Sequence, residues 1–308
     1  MPNRPALLIM QRHLAPLTAF LEADYTVYRF WEGPPAEAQG QIRALVVAGE
    51  FPLDKALIET LPALQLIACF TSGYDGIDVD WCRARGLPVS HAPGVNHEDV
   101  ADHALGLILA ARRQIAAGDR ALRAGGWTVD AKMITPSLKD QRLGVVGLGA
   151  IGEAVARRAG AMRMAVRWWG PREKESPWPR AETLLELARD SDILVVACKA
   201  DEGNRGLISR EVIEALGPQG LLVNVARGQL VDEDALIAAL KDGRLGQAAL
   251  DVFEEEPTEA ARWADVPNTV LTPHTGGATT EAVQGMLMLL IQNLRAAFAG
   301  EPLKTPVP

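Results

Sequence analysis

The chain has 308 residues, of which 48% are hydrophobic, so one large domain or two medium-sized domains with substantial cores are expected. Its formal net charge of −8 argues against nucleic acids and anionic membranes as general partners, and no run of about 18 uncharged apolar residues suggests a membrane span. The three cysteines are widely spaced and form no C-x-x-C pair, which favours a reducing cytoplasm and packing roles over disulfides or a metal site.

Short apolar runs alternate with amphipathic segments along the first part of the chain, a pattern typical of doubly wound α/β architecture. Strands are predicted at residues 6–10, 25–30, 44–48, 66–70 and 88–90, and helices near residues 13–22, 54–61 and 78–85. A long helix is predicted from about residue 97 to residue 117, because an apolar stripe of helical period is formed by Ala101, Ala104, Leu105, Ile108 and Leu109.

Residues 142–158 contain the most informative pattern in the chain. An apolar run at residues 143–146 predicts a buried parallel strand, and the G-x-G-x-x-G sequence that follows it is Gly147, Leu148, Gly149, Ala150, Ile151 and Gly152. A helix is predicted directly after the glycines, as a dinucleotide-binding fingerprint requires. Gly147 would allow the tight turn, Gly149 the approach of a pyrophosphate, and Gly152 the close packing of helix on strand. The first free N–H groups of the helix would bind the phosphates.

The end of the next predicted strand, residues 164–169, indicates which dinucleotide is bound. A site for NAD usually has an acidic residue here, which binds the ribose 2′-hydroxyl and repels a 2′-phosphate. Gly170 occupies this position, and Arg172 follows two residues later. The missing carboxylate and the added cation favour NADP over NAD. A solvated charged loop, with Glu173 beside Arg172, is the alternative interpretation.

The remaining elements suggest how the chain is divided. Strands are predicted at residues 193–197, 221–225, 248–252 and 269–271, helices at 181–189, 211–216 and 233–241, and a last long helix at 280–298. The fingerprint lies in the middle of the chain, after an α/β segment that is too long to be a single arm. We therefore expect a dinucleotide-binding domain, residues 97–277, inserted into a discontinuous substrate-binding domain, residues 1–96 and 278–308, with hinges near 93–97 and 274–278.

Three segments after the fingerprint place polar side chains directly after predicted strands, where the sites of parallel α/β sheets form. Arg227 has a guanidinium that could bind a carboxylate bidentately. Asp251 lies in an apolar strand, where burial is costly without a partner. It precedes three consecutive glutamates, residues 254–256, and the pattern alone does not select among them. His274 also follows a strand, which favours a functional over a structural role.

These residue types form a coherent acid–base site. Histidine titrates near neutrality, so it can give or take the hydroxyl proton that accompanies hydride transfer. A neighbouring glutamate would raise the pKa of that histidine by favouring the imidazolium. An arginine would orient a substrate acid and polarise its carbonyl.

Several stretches resemble the D-isomer-specific 2-hydroxyacid dehydrogenases, and the resemblance extends over nearly the whole chain. They are FTSGYDGID (70–78), EDVADHA (98–104), the fingerprint, NVARG (224–228), LDVFEEEP (250–257) and TPH (272–274). The resemblance implies two doubly wound parallel-sheet domains, in which a Rossmann cofactor domain is inserted into a flavodoxin-like substrate domain. It also implies hydride transfer between a nicotinamide cofactor and a 2-keto or 2-hydroxy acid.

The resemblance further implies roles for individual residues of this chain. Arg227 would bind the substrate, Glu256 would pair with the histidine, and His274 would be the acid/base. The backbone N–H groups of Ser72 and Gly73 would hold the substrate carboxylate. Around the cofactor, the implied residues are Asp251 at the nicotinamide carboxamide, Val100 and Gly276 beside the nicotinamide, and Cys198 near the adenosine.

The chain is most similar to the glyoxylate/hydroxypyruvate reductase branch, which commonly uses NADPH, and its ending, PLKTPVP, fits that branch. Ser72 departs from the valine that is frequent in the family, and Lys199 from a frequent proline. Pro273 stands where formate dehydrogenases of this superfamily have glutamine, which disfavours them. A phosphoglycerate dehydrogenase-like enzyme and a non-catalytic nucleotide-sensing module on the same fold are the alternatives. The preferred 2-keto acid is left open.

The resemblance also implies a homodimer that forms through the cofactor domains. The long helix at residues 97–117 and the segment 125–136, which contains Trp127, would form the contact. Residues near Met133 would then reach the active site of the partner.

Overall fold

The computed structural model describes residues 4–130 and 133–308, and it divides into two compact units. The first unit joins the chain up to Asn96 with Thr279–Pro308, and the second unit is His97–Ala278. The second unit is therefore one continuous segment, whereas the first is assembled from two distant parts of the chain.

The first unit contains a sheet of five parallel strands in the order β2-β1-β3-β4-β5. The strands are β1 (Ala6–Ile9), β2 (Thr26–Arg29), β3 (Ile42–Val47), β4 (Leu66–Cys69) and β5 (Val89–Ser90). The helices are α1 (Thr18–Leu21), α2 (Ala36–Gln39), α3 (Lys55–Glu59), α4 (Val79–Ala84) and α12 (Thr280–Ala299). Strands β1 and β4 are buried throughout, which explains their continuous apolar sequences. The strand order is that of flavodoxin-like folds, as predicted.

The predicted helix at residues 13–22 is mostly a 3₁₀ helix. Arg12–Leu17 form this 3₁₀ segment, and α1 occupies only the last turn of the predicted range. Pro16 lies inside the segment and has no N–H to donate, so regular α-helical bonding begins only after it. Leu14 and Leu17 still reach the core, because an apolar pair three residues apart shares one face of a 3₁₀ helix.

Helix α12 contributes to the core of the first unit. Thr279 caps its start by accepting a hydrogen bond from the N–H of Ala282, and Gly300 ends it in the left-handed conformation. The face of α12 that joins the core consists of Ala282, Met286, Leu290 and Leu294. By length and composition alone, α12 is the one helix among the described residues that could cross a membrane, a property shared by core helices of soluble proteins.

The second unit contains a sheet of six parallel strands in the order β11-β10-β9-β8-β6-β7. The strands are β6 (Arg142–Val146), β7 (Ala165–Trp169), β8 (Ile193–Val196), β9 (Leu221–Asn224), β10 (Gln247–Leu250) and β11 (Thr269–Leu271). The helices are α5 (His97–Arg112), α6 (Ile115–Arg123), α7 (Ala150–Ala161), α8 (Leu184–Arg189), α9 (Arg210–Leu216), α10 (Glu233–Lys241) and α11 (Ala260–Trp263). The strand order reverses at β6, so a ligand crevice is expected at the carboxyl ends of β6 and β8.

The long helix predicted at residues 97–117 is wrong, because the structure has two helices there. Helix α5 ends at Arg112, and Gln114 takes the left-handed conformation, with φ of +53°, before α6 begins. The buried guanidinium of Arg112 donates to the backbone carbonyls of Gln219 and Asp192, which lie just before β9 and β8. These contacts fix the end of α5 against the sheet, and no local sequence pattern reveals them.

Candidate active site

The carboxyl ends of the strands in the second unit bring the candidate residues to one edge of the sheet. The glycine-rich loop follows β6, Arg227 follows β9, Glu256 follows β10 and His274 follows β11. Four stretches that are up to 127 positions apart therefore meet at one edge, as the parallel topology requires.

The glycine-rich loop has the geometry of a phosphate-binding turn. Gly147 has φ of +92°, and a Cβ there would lie 2.5 Å from the Cα of Cys198. A Cβ on Gly152 would lie 2.1 Å from the carbonyl oxygen of Gly147. A Cβ on Gly149, by contrast, would meet no atom within 4 Å, so open space adjoins the first N–H groups of α7. The loop therefore fits a bound pyrophosphate.

Three cationic side chains lie around the end of β7 and the loop. Arg172 is exposed. Arg180 donates to the carbonyl of Gly170 at 2.8 Å, and the Nζ of Lys174 donates to the carbonyl of Leu148 at 3.0 Å. Sequence reasoning missed Lys174 and Arg180, and the only available signal was the density of basic residues after Gly170.

The carboxylate of Glu173 interacts with Arg180, whereas the sequence suggested Arg172 as its partner. Its carboxylate lies 4.0 Å from the Nη1 of Arg180, while Arg180 also faces the ring of Trp168. The Nε of Arg180 is buried and has no hydrogen-bond partner among the described residues. Arg180 thus has unused donor capacity beside Gly170.

His274 and Glu256 form a directly bonded pair. The Nδ1 of His274 lies 2.6 Å from the Oε2 of Glu256, and the other carboxylate oxygen accepts from the N–H of Phe253 at 3.0 Å. Of the three consecutive glutamates, Glu256 is the one that contacts the histidine. Because Nδ1 is engaged, Nε2 is the ring nitrogen that can exchange a proton with a substrate.

This pair shifts both titrations in favour of the charged forms. The hydrogen bond that His274 donates to Glu256 raises the pKa of His274 above its ordinary value, against the opposing effect of burial. Burial alone would raise the pKa of Glu256, but the bond and charge of His274 outweigh it and lower that pKa. The charge of Arg227 lowers the pKa of both groups, so Arg227 acts on the same site electrostatically.

Backbone contacts hold the histidine in an unusual conformation. His274 has φ of +52°, in the left-handed region that is uncommon for residues other than glycine. Its N–H donates to the carbonyls of Asp251, at 2.8 Å, and Thr272, at 3.1 Å. These bonds tie His274 to the loop that follows β10, which also carries Glu256.

The loop that carries Glu256 is braced by buried groups. A Cβ on Gly228 would lie 1.8 Å from the carbonyl carbon of Phe253, so the turn after β9 packs backbone to backbone against this loop. The carboxylate of Glu233, which is buried, accepts from the N–H of Glu254 and from the Nε of Arg262 at 3.1 Å. Sequence reasoning did not identify Glu233 or Arg262.

Arg227 directly follows the buried strand β9. The side-chain amide of Asn224 donates to the carbonyl of Arg227 at 2.9 Å, and the Nη1 of Arg227 donates to the carbonyl of Ala226 at 2.7 Å. Asn224 is almost fully buried, so its amide fixes the turn in which Arg227 begins. The guanidinium is therefore attached to a rigid backbone.

Asp251 is buried and has several hydrogen-bond partners. Its side chain accepts from the hydroxyl of Thr272 at 2.6 Å and from the N–H groups of Thr275, at 2.9 Å, and Gly276, at 2.8 Å. Burial would raise the pKa of Asp251, but the bonds from His103, Thr272 and the two backbone donors lower it. Asp251 is thus a carboxylate, as a donor group such as a carboxamide requires of its acceptor.

The other predicted cofactor residues lie in the same unit. Val100 is buried on α5, and Cys198 follows β8, where burial raises the pKa of its thiol to about 11. The thiol is therefore uncharged at neutral pH and suits an apolar contact. Lys199 has interactions of its own in the structure, so no role at a cofactor is assigned to it.

In the first unit, Ser72 and Gly73 lie in a braced loop after β4. The hydroxyl of Ser72 is 2.6 Å from the carbonyl of Ala92, and the Nδ1 of His91 is 2.9 Å from the carbonyl of Ser72. The hydroxyl of Thr71 contacts the carbonyl of Gly73 at 3.1 Å. These contacts fix the loop through its side chains and carbonyls, which suits a site built from backbone N–H groups.

Known proteins resemble this chain over the second unit and over its full length. Residues 105–276 match the family described as "D-isomer specific 2-hydroxyacid dehydrogenase, NAD binding domain". The chain is 39% identical over 304 residues to a glyoxylate/hydroxypyruvate reductase of Arabidopsis thaliana, covering 96% of this chain and 97% of that protein. It is 40% identical over 304 residues to the hydroxyphenylpyruvate reductase of Plectranthus scutellarioides, covering the same shares of the two chains.

A solved structure is similar over nearly the full length. It is an NADPH-dependent glyoxylate/hydroxypyruvate reductase from Sinorhizobium meliloti in complex with NADP and malonate, with a TM-score of 0.91 and 33% sequence identity. The match covers 99% of this chain and 97% of that one. The two parallel-sheet units therefore correspond to a known architecture.

Proposed function

The chain belongs to the D-isomer-specific 2-hydroxyacid dehydrogenases, and we propose that it prefers NADPH and small 2-keto acids, glyoxylate or hydroxypyruvate, which it reduces to D-2-hydroxy acids. Membership of this family makes it an oxidoreductase with an NAD(P)-binding domain. The bonded pair of Glu256 and His274 is the observation that carries the proposal. It supplies a proton donor of raised pKa, and a protein that only sensed nucleotides would not need one.

The proposed chemistry assigns one task to each side chain. A bound nicotinamide supplies the hydride. His274 holds a proton on Nε2 and gives it to the keto oxygen, while Glu256 keeps the imidazolium favourable and fixes the ring through Nδ1. Arg227 binds the keto acid and polarises its carbonyl, because a guanidinium favours the negative charge that develops on the oxygen. Ser72 and Gly73 are proposed to bind the substrate carboxylate through their backbone N–H groups.

A substrate panel tests the proposal. NADPH oxidation by the purified protein should be measured with glyoxylate, hydroxypyruvate, hydroxyphenylpyruvate and 2-ketogluconate, the last two being substrates named for relatives. We expect the highest kcat/KM with glyoxylate or hydroxypyruvate. A clear preference for hydroxyphenylpyruvate would move the proposal to aromatic 2-keto acids, and absence of turnover with all four would contradict the proposed substrate class.

Glu256→Gln is expected to shift the pH profile of reduction. The reaction needs the imidazolium of His274, so kcat/KM falls as pH rises through the pKa of His274, which Glu256 raises. Without the carboxylate charge, the falling limb should move to lower pH, and activity at neutral pH should drop about tenfold or more. Glu255→Gln, which removes the neighbouring exposed carboxylate, is the matched control. Identical profiles for the two variants would mean that Glu256 does not control the histidine.

The preference for NADPH is proposed from the charges around the end of β7. Gly170 removes the carboxylate that would repel a 2′-phosphate, and Arg172, Lys174 and Arg180 place cations nearby. A charge-assisted contact contributes about 1.5–3 kcal/mol, roughly ten- to a hundredfold in affinity. Gly170→Asp combined with Arg172→Ala should therefore weaken NADPH strongly and NADH little. The first measurement is the steady-state kinetics of the unsubstituted protein with both cofactors. A kcat/KM for NADH equal to or above that for NADPH would refute the preference.

A homodimer is proposed from exposed apolar side chains on and after α6. Ile115 and Leu122 on the helix, and Trp127 and Ile134 after it, are exposed, Trp127 by 75% and Ile134 by 92%. Residues 131 and 132 of this segment lie outside the described residues. Several large apolar side chains exposed along one segment favour a contact with another protein, and a second copy is the partner that the family resemblance favours.

Light scattering at micromolar concentration should give the mass of two chains. Leu122→Asp should lower that mass to one chain, because it places a charge in the proposed contact. Met288→Asp, at an exposed methionine of α12, is the matched control and should leave the dimer intact. A natural chain that is monomeric under these conditions would exclude this proposal.

We also propose that the protein is cytoplasmic and binds neither membranes nor nucleic acids. The three cysteines are free thiols, and the net charge is −8. Fractionation of cells that express the protein, with detection by antibody, would test the location.

A further inference from the structure

His103 is a histidine of the second unit that the proposed chemistry does not use. It lies on α5, and its Nε2 is 2.9 Å from the hydroxyl of Thr272 and 3.3 Å from the Oδ1 of Asp251. Thr272 in turn lies 2.6 Å from the same oxygen of Asp251. One histidine, one hydroxyl and one buried carboxylate therefore form a connected network.

The hydrogen-bond directions in this network follow from its chemistry. Asp251 is ionised and can only accept, so the single hydroxyl proton of Thr272 is donated to it. The oxygen of Thr272 can then accept from the Nε2–H of His103, which lies 2.9 Å from that oxygen and also 3.3 Å from the Oδ1 of Asp251. Both contacts place the proton of the imidazole on Nε2. His103 is thus the terminal donor of a relay that ends on Asp251.

The relay occupies one oxygen of Asp251 and leaves capacity on the other. Oδ1 accepts from Thr272 and from the N–H of Thr275, with His103 nearby, whereas Oδ2 accepts only from the N–H of Gly276 among the described residues. A Cβ on residue 276 would lie 2.8 Å from Oδ2, so glycine keeps that oxygen approachable. The carboxylate is thereby held in one rotamer with a free acceptor position on Oδ2.

We propose that His103 is a positioning residue for the nicotinamide: through Thr272 it orients Asp251 so that Oδ2 accepts from the carboxamide of the cofactor. The inference rests on the proposed dinucleotide function, and it assigns to His103 no contact with cofactor or substrate. Its consequence is specific, because it concerns only the nicotinamide half of the dinucleotide. The adenosine and pyrophosphate half binds at the glycine-rich loop, away from this network.

The test compares two ligands on several variants. His103→Leu removes the donor, and His103→Gln replaces Nε2–H by an amide N–H of similar reach. The Kd of each protein is measured for NADPH and for 2′-phospho-ADP-ribose, which lacks the nicotinamide, by calorimetry in the absence of substrate. We expect His103→Leu to weaken NADPH about five- to tenfold and the fragment less than about twofold, and His103→Gln to restore most of the NADPH affinity.

A destabilisation control and a relay control complete the design. Leu109→Ala lies on the same helix and removes packing without touching the network, so it reports the effect of a lowered Tm alone. Thr272→Val should weaken NADPH like His103→Leu, and the double variant should lose no more than either single one. Equal weakening of NADPH and fragment, or additive losses, would overturn the inference.

Two further outcomes distinguish a failure of this inference from a failure of the proposed function. If the natural chain binds NADPH more tightly than the fragment but His103→Leu leaves that difference intact, His103 has no positioning role and the proposed function stands. If the natural chain binds NADPH no more tightly than the fragment, Asp251 gains nothing from the nicotinamide, and both this inference and its basis fail.

Discussion

Replacing His274 with asparagine is expected to lower kcat for keto-acid reduction by about 10²–10⁴ while the Kd for NADPH stays nearly unchanged. The loss is large because Nε2 of His274 is the proposed source of the proton that the keto oxygen receives. Asparagine suits this test better than alanine, since the residue has φ of +52° and asparagine tolerates the left-handed region. A change in kcat can therefore be attributed to the lost imidazole rather than to backbone strain.

Two further measurements make this prediction sharp. Imidazole added to His274→Asn should restore part of the lost rate, because a free proton donor can occupy the vacated volume. His103→Asn, which removes an imidazole of the same unit that the proposed proton transfer does not use, should affect NADPH affinity more than kcat. Turnover near that of the natural chain in His274→Asn would remove His274 from the mechanism.

Arg227→Lys is expected to lower kcat/KM by about ten- to a hundredfold, although the charge is kept. The guanidinium is planar and can bind a carboxylate and a carbonyl oxygen with two parallel donors, whereas an ammonium is a point charge on a flexible chain. Asn224 fixes the backbone at which this side chain begins, so the reach of the fork is set by the fold. Lysine cannot reproduce that placement.

The matched control for this substitution is Arg189→Lys, at an exposed arginine at the end of α8. It should leave kcat/KM unchanged. Arg227→Gln should lose more than Arg227→Lys, because it removes the charge as well as the fork. Retained kcat/KM in Arg227→Lys would contradict two-point binding by Arg227.

Local patterns were sufficient to predict much of the fold. The fingerprint unit was predicted because the strand, the glycines and the helix are adjacent in sequence, and each has a short-range signature. The break in the predicted helix at Gln114 was missed, because glutamine is no helix breaker by itself. Arg112 bonds to Asp192 and Gln219, which lie 80 and 107 positions further along the chain, and these bonds contribute to the geometry of the break.

Local sequence patterns were also insufficient to identify every residue of the candidate site. The residue pattern by itself did not select Glu256 among three adjacent glutamates; the family resemblance selected it, and the distance to His274 distinguishes it in the structure. Arg180 and His103 were missed because their contacts, with Gly170 and with Thr272, join segments that have no pattern in common. Residue type and strand ends indicate where chemistry can occur, but pairing between distant segments decides which side chains perform it.

The division of the chain has a consequence for how the protein is made. A ribosome delivers the first 96 residues long before Thr279–Pro308, yet α12 supplies Ala282, Met286, Leu290 and Leu294 to the core of the first unit. The second unit, His97–Ala278, is continuous and can fold as soon as it has emerged. Vectorial synthesis is therefore expected to complete the inserted unit first, while the apolar surface of β1 and β4 stays incompletely covered and dependent on chaperones until the last helix arrives.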